Sequence, residues 1–430
     1  MNAQRVNDAN AKASGRISTD EINKQLDLLA NKYAKTAKID GFRRGKVPIS
    51  VIKSRYKQNL IEESRQKSID TFYANAIKEL GLEQKDVIGQ PLIVKFEEND
   101  NGIELELKIG ITPNFTVDNA LSCMPNFDLE EITSKQVEER LAELAKSRAP
   151  IVDSSETTLK SGYVANIDFE GFLDNKPFDG GKAEGFNLSI GSKQFIPGFE
   201  DSIIGMNVGE EKMINVTFPK NYQSSNLAGQ AVEFKVKLNS IKQRGEISID
   251  DSFAKAILGD SEENTLEKLK EQIKKDLEQE SKMKLYNEKL KEEALNNISK
   301  AFHFDLPENI LEQEMNVLFN NEISMLKPEE IEELKNNQEK SKALYEAQRE
   351  KARTSVKVTF IIDKLAKQEK INVNDNEVFQ TLYYESMMSG YNPQEVIENY
   401  RKNNLLPAVK MAIIEDRVIA HLLDKSKGLK

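Results

Sequence analysis

Between Gly41 and Pro48 the chain reads Gly-Phe-Arg-Arg-Gly-Lys-Val-Pro, setting one aromatic ring, Phe42, among Arg43, Arg44 and Lys46 in a glycine-bracketed loop. Such a tip suits docking rather than bond-making, because its cations attract an anionic surface and its ring offers an apolar contact. From Asn31 to Lys57 there are nine basic residues (Lys32, Lys35, Lys38, Arg43, Arg44, Lys46, Lys53, Arg55, Lys57) against one acid, Asp40. The whole chain carries a net charge of −10, so this run is a local contact for nucleic acid or nucleoprotein and not part of a general basicity. On charge alone a solvated pair of basic helices joined by a turn is the ordinary reading; only the order of residues separates the two. Other reactive groups are few. Cys123 is the sole cysteine, which excludes an intramolecular disulfide and a thiolate metal cluster. His303 and His421 have no second ligand at metal spacing and are expected as core side chains. Gly180-Gly181 lacks the Lys and Ser or Thr of a phosphate loop, and no Ser, His, Asp constellation stands out. Neither a metal nor a cofactor is expected.

The remaining candidate is residues 161–244, where glycines and phenylalanines concentrate and Tyr163–Phe169, Phe186–Ile190, Met213–Phe218 and Val232–Leu238 alternate as half-buried strands do. Phenylalanines in such a domain are ordinarily core. Their order changes that reading. IDFEGF (Ile167–Phe172), PFDGG (Pro177–Gly181), IGSKQFIPGFED (Ile190–Asp201), GMNVGEE (Gly205–Glu211), VTFPKNY (Val216–Tyr222) and AVEFKVKL (Ala231–Leu238) together resemble the FK506-binding-protein (FKBP) class of peptidyl-prolyl isomerases over almost its full length. The resemblance implies a proline-sized cup lined by Phe169, Phe178, Phe186, Ile196, Phe199, Phe218 and Phe234. It makes the Tyr222 hydroxyl and the Ile196 backbone N–H donors to the substrate carbonyl, with Asp179 the acid beside the pocket. Rotation about an X-Pro bond meets a barrier of about 18–20 kcal/mol from amide resonance, so no nucleophile is needed. The family commonly has Trp at the floor; this chain has none, and Phe199 stands there. A smaller floor is expected to weaken tight macrocyclic inhibitors more than turnover of an unfolded chain.

The octapeptide GFRRGKVP closely resembles the ribosome-docking signature of the trigger factor family, usually GFRKGKVP, with Arg44 the one departure. The matching contact residues are Phe42, Arg43 and Arg44, and arginine keeps the charge while adding a planar fork. Val358–Lys367 and Leu406–Val418 look like that family's C-terminal helices. The resemblance implies an ATP-independent chaperone that docks on the large ribosomal subunit near the exit tunnel, at protein and rRNA. It would hold nascent and unfolded polypeptides open for folding and export, and isomerise their prolyl bonds. The absence of a nucleotide-binding loop fits a holdase. Two rivals are a dedicated isomerase whose helices only oligomerise or recruit substrate, and a periplasmic chaperone isomerase, which the missing apolar signal region in the first residues disfavours. The sequence leaves open whether the free protein is a homodimer.

These sites need elements to hold them. At 430 residues, 31% charged and a mean hydropathy of −0.57, the chain is long and polar enough for several domains with solvated helices, and no apolar run is long enough to span a bilayer; cytoplasmic residence is expected. The expected fold is multidomain α+β. An N-terminal α+β docking domain covers 1–112, with Ser18 and Glu21 at capping-box spacing, Ile22, Leu26, Leu29 and Tyr33 at helical intervals, and Pro48 opening a helix that runs past Val51, Ile52, Tyr56 and Leu60 to a stop at Gly81. A hairpin turning at Asn99–Gly102 closes it. A linker, 113–160, carries one short helix with Val137, Leu141 and Leu144 on one side. The FKBP-like antiparallel β domain spans 161–244, and an all-α chaperone domain with arms spans 245–430, with Leu266, Leu269, Ile273 and Leu277 periodic and Pro307, Pro328, Pro393 and Pro407 near helix starts. Six of the ten methionines fall there (Met283, Met315, Met325, Met387, Met388, Met411), and Ile310–Leu326 and Val378–Met388 carry more apolar side chains than thin arms can bury, as binding surfaces do.

Overall fold

Ser18 and Glu21 form the capping box their spacing predicts. Ser18 Oγ accepts from the Glu21 N–H at 3.3 Å and Glu21 Oε2 accepts from the Ser18 N–H at 2.8 Å. Two orphan donors are thereby satisfied at the helix start. Ahead of it lies a hairpin that the sequence did not announce, β1 (Asn2–Asn7) and β2 (Asn10–Ser18), leading into α1 (Thr19–Thr36). After the basic loop come α2 (Ile49–Arg55) and α3 (Lys57–Glu79), then the expected hairpin β3 (Leu92–Asn99) and β4 (Gly102–Gly110). The sheet order is β1-β2-β4-β3, antiparallel throughout. Register sets Ala11 opposite Ile109, Ala13 opposite Leu107 and Ile17 opposite Ile103. That face buries against Phe72, Ala76 and Ile77 of α3, and each fully buried Leu or Ile contributes about 1.5–3 kcal/mol. The helix expected to run unbroken past Tyr56 is instead split there (φ −113°, ψ 28°), and the Tyr56 ring stacks on Tyr33 at 5.6 Å.

The computed structural model describes every residue except Gln194, Lys220, Asn221, Gln223, Ser225 and Lys430, so the quoted stretches Ile190–Asp201 and Val216–Tyr222 are described apart from Gln194, Lys220 and Asn221. Two compact units emerge, one of residues 128–284 and one of residues 1–127 with 285–430. In the first, α4 (Ser134–Arg148) precedes β5 (Ile151–Asp153), β6 (Val164–Leu173), β7 (Lys176–Ser189), α5 (Phe199–Ile203), β8 (Glu211–Thr217) and β9 (Ala231–Arg244), then α6 (Asp251–Leu258) and α7 (Leu266–Leu285). The sheet runs β5-β9-β6-β7, with β8 also on β9. Each strand expected from alternation falls within β6 to β9 apart from the end residues Tyr163, Ile190 and Phe218. Val137 and Leu141 of α4 bury with Phe253, Leu269 and Ile273 of α6 and α7. β5 and the buried Leu159 carry the sheet and its core N-terminally of residue 161.

The second unit continues from α7 through one π-helical turn (Tyr286–Leu290) into α8 (Lys291–Ala301), then α9 (Glu308–Met325), α10 (Pro328–Asn336), α11 (Gln338–Ala347), α12 (Arg349–Gln368), α13 (Asp375–Met388), α14 (Pro393–Lys402) and α15 (Leu406–Ser426). Pro307 caps α9, while Pro328, Pro393 and Pro407 occupy first-turn positions where the missing N–H costs nothing. The start of the segment expected as a tether is built into this helical core: Val117, Ala120 and Phe127 bury with Ile361, Ile362 and Leu422, and Phe115 stacks on Phe304 at 3.9 Å. Tyr286, buried, donates to Asp424 Oδ1 at 2.8 Å. α9 also sits on the N-terminal sheet, where Lys108 pairs with Glu308, and Asn309 donates to the Ile88 and Gln90 carbonyls at 2.7 and 2.9 Å. The two histidines correct the expectation of core side chains: both are exposed. His303 lies in an extended segment whose neighbours Phe302 and Phe304 turn inward, so alternation sends it out; His421 on α15 pairs with Glu369 at 3.1 Å. Among the described residues no helix is long and apolar enough to cross a membrane.

Candidate functional site: an aromatic cavity and a basic tip

Phe169 on β6 and Phe234 on β9 face the same side of one sheet, and their rings meet at 5.9 Å in an edge-on arrangement. Phe178 on β7 stands edge-on to Phe234 at 5.8 Å and to Phe218, just past β8, at 6.1 Å. A cavity of about 510 Å³ opens over these rings. Of the expected site residues, Phe169, Phe178, Asp179, Ile196, Phe218, Tyr222 and Phe234 line it; Phe186 and Phe199 do not. Phe186 is exposed and touches the cluster edge-on through Phe169 at 5.9 Å. Phe199, the expected floor, is 0% exposed at the start of α5. Phe195 lies against it at 4.5 Å and is the ring that meets the cavity instead. Pro197, Pro219, Ser224 and Leu227 complete the wall.

Sequence reasoning passed over Phe195 because it lies in a loop, where neither the two-residue nor the 3.6-residue period marks a direction. Its place beside Ile196 in the quoted IGSKQFIPGFED was the available signal.

The polar side chains of the lining are Asp179, Tyr222 and Ser224. Tyr222 is exposed, its ring 4.5 Å from Phe218, and its hydroxyl has no bonded partner among the described residues. The Ile196 N–H likewise meets no acceptor among the described residues, while the Ile196 carbonyl accepts from the Phe199 N–H at 3.0 Å. Asp179 is exposed at the edge. The arrangement offers two free donors beside a cup lined by rings. Among the described residues no three metal-ligating side chains converge.

In the other unit, Gly41 (φ +87°) and Gly45 (φ +79°) adopt left-handed backbone that only glycine takes without cost, each as the third residue of a tight turn, closed by Phe42 N–H to Ile39 O and by Lys46 N–H to Arg43 O. Phe42, Arg43, Arg44 and Lys46 are all exposed, Phe42 at 42%. Below the tip, Val47 buries with Leu29, Ala30, Ile52 and Leu60, and Ile39 packs on them, so the tip stands on a fixed base. Glu63 receives the Tyr33 hydroxyl at 2.9 Å, and that hydrogen bond raises the tyrosine's pKa. On the helices, Met325, Tyr383, Tyr384, Met387, Met388 and Tyr391 are exposed, whereas Leu311, Met315, Val378 and Leu382 of the same stretches are core.

Comparison with known proteins bears on both sites. A family model described as bacterial trigger factor protein matches residues 1–144, one for the C-terminus of that protein matches 265–424, and one for FKBP-type peptidyl-prolyl cis-trans isomerase matches 155–239. Trigger factor of Helicobacter hepaticus is 48% identical over 423 residues, covering 98% of this chain and 95% of its own length. Trigger factor of Helicobacter pylori strain 26695 is 47% identical over 427 residues, covering 99% and 95%. A solved structure described under "Promiscuous Substrate Recognition in Folding and Assembly Activities of the Trigger Factor Chaperone" shares the fold at a TM-score of 0.54 and 18% identity, covering 99% of this chain and all of that one. This chain belongs to the trigger factor family: it is a chaperone that carries an FKBP-type peptidyl-prolyl isomerase domain.

Proposed function

We propose that this trigger factor family member isomerises X-Pro bonds in the aromatic cavity and docks through Phe42, Arg43 and Arg44 on the large ribosomal subunit near the exit tunnel. It then holds nascent and unfolded chains on the exposed Tyr and Met side chains of its helices, in the cytoplasm. Docking falls to residues 1–112, isomerisation to 161–244 and client binding to 245–430, joined by 113–160. The planar amide ground state is charge-separated between nitrogen and carbonyl oxygen, and twisting removes that separation. An apolar cup therefore favours the twisted form relative to water, where the planar form is better solvated. Phe169, Phe178, Phe195 and Phe234 supply the cup, and the Ile196 N–H and Tyr222 hydroxyl, both on its lining residues, are the donors that would hold the carbonyl as the bond turns. The observation that carries the reading is the coexistence of this donor-rimmed cup with an exposed Phe-Arg-Arg tip on a fixed base.

The test is co-sedimentation with large ribosomal subunits across a salt series, with prolyl-peptide turnover measured on the same samples, for the parent, a Phe42→Ala/Arg43→Ala/Arg44→Ala variant and Phe178→Ala. The triple variant should lose pelleting and keep turnover; Phe178→Ala should do the reverse; and parental binding should weaken with salt. Equal pelleting of parent and triple variant would return the function to a free-standing isomerase.

A further inference from the structure

Glu200 is the one Asp, Glu, Lys or Arg among the described buried residues, at 7% exposure. It is the second residue of α5, and its carboxylate turns back onto the preceding loop rather than outward. Oε2 accepts from the Gly191 N–H at 2.7 Å and the Lys193 N–H at 3.2 Å. Oε1 accepts from Ser192 Oγ at 3.2 Å and the Phe195 N–H at 3.4 Å. Burial opposes the charge, and these hydrogen bonds outweigh it, holding the carboxyl below the usual glutamate range. The loop needs such a clamp. Lys193 has φ +57°, a left-handed conformation that costs a non-glycine residue about 1–3 kcal/mol and persists only where surrounding contacts impose it. The residues that the clamped loop delivers are Phe195 and Ile196, which bring a ring and a free N–H to the cavity.

We propose that Glu200 is a positioning residue of the isomerase, holding Gly191, Ser192, Lys193 and Phe195 so that Phe195 and Ile196 reach the cavity. This rests on the cavity being the isomerase site. Glutamine has the same shape but only one acceptor oxygen, so its amide NH₂ would confront one of the two donor pairs. Aspartate keeps both acceptors on a shorter arm.

The experiment measures kcat and KM for a prolyl peptide, together with hydrogen exchange of residues 190–198, on the full chain as parent, Glu200→Gln, Glu200→Asp, Phe178→Ala and Ile241→Val. Ile241→Val trims the same core at the far end of β9 and is the control for lost stability. Glu200→Gln should lower kcat/KM by about ten- to hundredfold, as a misplacement of about 1 Å does, with protection lost at 190–198. Glu200→Asp should recover part of both, and Ile241→Val should leave kcat/KM within about twofold of the parent. If Glu200→Gln does not fold, the aspartate variant carries the test: parental kcat/KM with an opened loop refutes the role. Glu200→Gln at parental kcat/KM, or an equal loss in Ile241→Val, overturns the inference while Phe178→Ala remains impaired. A fully active Phe178→Ala moves the isomerase site elsewhere and takes the inference with it.

Discussion

Gly171 is where a single methyl group should close the cup. It lies on β6 opposite Phe234, in extended backbone, so alanine meets no strain of its own. A Cβ there would stand 2.6 Å from Cε1 and Cζ of Phe178 and 2.7 Å from Cε1 of Phe234. Carbon atoms rest at about 3.5–4.0 Å, so each ring must retreat by about 1 Å. Phe234 has nowhere to go: it is buried and ringed by Phe169, Phe178 and Phe199 at 5.3–5.9 Å. Phe178 is half-buried and should move, but the backbone of a second glycine, Gly181, lies against its other edge, so close that a Cβ there would stand 2.7 Å from Phe178 Cε2. Overpacking of this kind costs about 1–3 kcal/mol.

Gly171→Ala should therefore destabilise the sheet by that amount and lower kcat/KM, while ribosome co-sedimentation stays parental. Hydrogen exchange at β6 and β9 is the suitable stability assay, because it reads local opening without requiring a chain of two units to unfold in one step. A double-mutant cycle with Phe178→Ala isolates the clash. Removing the ring should relieve much of the alanine's cost. If Gly171→Ala costs the same with and without the Phe178 ring, or costs less than about 0.5 kcal/mol, steric reasoning about this wall is wrong.

Two further predictions concern the other unit. A Cβ at Gly110 would stand 2.0 Å from Asn309 Oδ1, so Gly110→Ala should expel Asn309 from the Ile88 and Gln90 carbonyls and cost about 1–3 kcal/mol; exchange at residues 88–90 and at the start of α9 should rise, and unchanged protection would refute the seat. Glu369 accepts from Lys425 at 3.0 and 2.9 Å; that pair, against partial burial and with help from His421, holds its carboxyl below the usual range. A depressed native value means stability that is full above the unfolded value of about 4.3 and lost as pH falls through the native one. Protection of α15 should accordingly decline in acid for the parent and be flatter with pH for Glu369→Gln; identical profiles would show that the pair contributes nothing.

Periodicity carried the sequence reading wherever a face is buried by large side chains. β4 and β9 alternate visibly because Ile103, Leu105 and Leu107 mark the inner face of one and Val232, Phe234 and Val236 that of the other. β1 and β2 escaped because β1 buries no residue and β2, before Ile17, buries only Asn10, Ala11 and Ala13, too small or too polar to register as a hydrophobic pattern. Residues 113–127 escaped for a different reason: Phe115, Val117, Ala120 and Phe127 follow no period, and only a surface formed by distant helices gives them a partner. At the cavity, residues on strands were legible from ordered motifs. Phe195 in its loop and Glu200 in the first turn of α5 were not, since their roles depend on a turn conformation that residue type does not announce.

The two apolar surfaces assigned here to isomerisation and client holding use similar side chains under opposite constraints. In the cup each ring is fixed by others: Phe169 alone meets Phe186, Phe195, Phe199 and Phe234, and such edge-on pairs add about 0.5–1.5 kcal/mol each beyond burial. Fixity is useful there because a preformed environment must favour one twisted geometry without rearranging as the bond turns. On the helices Tyr384 is 68% and Met388 89% exposed, and an exposed thioether with three rotatable bonds can match many apolar partners at little cost. Rigidity at that surface would select one client, and looseness in the cup would forfeit the preference for the twisted bond. The net charge of −10 opposes non-specific self-association of a chain with exposed apolar residues, and the cations around Phe42 stand out against it.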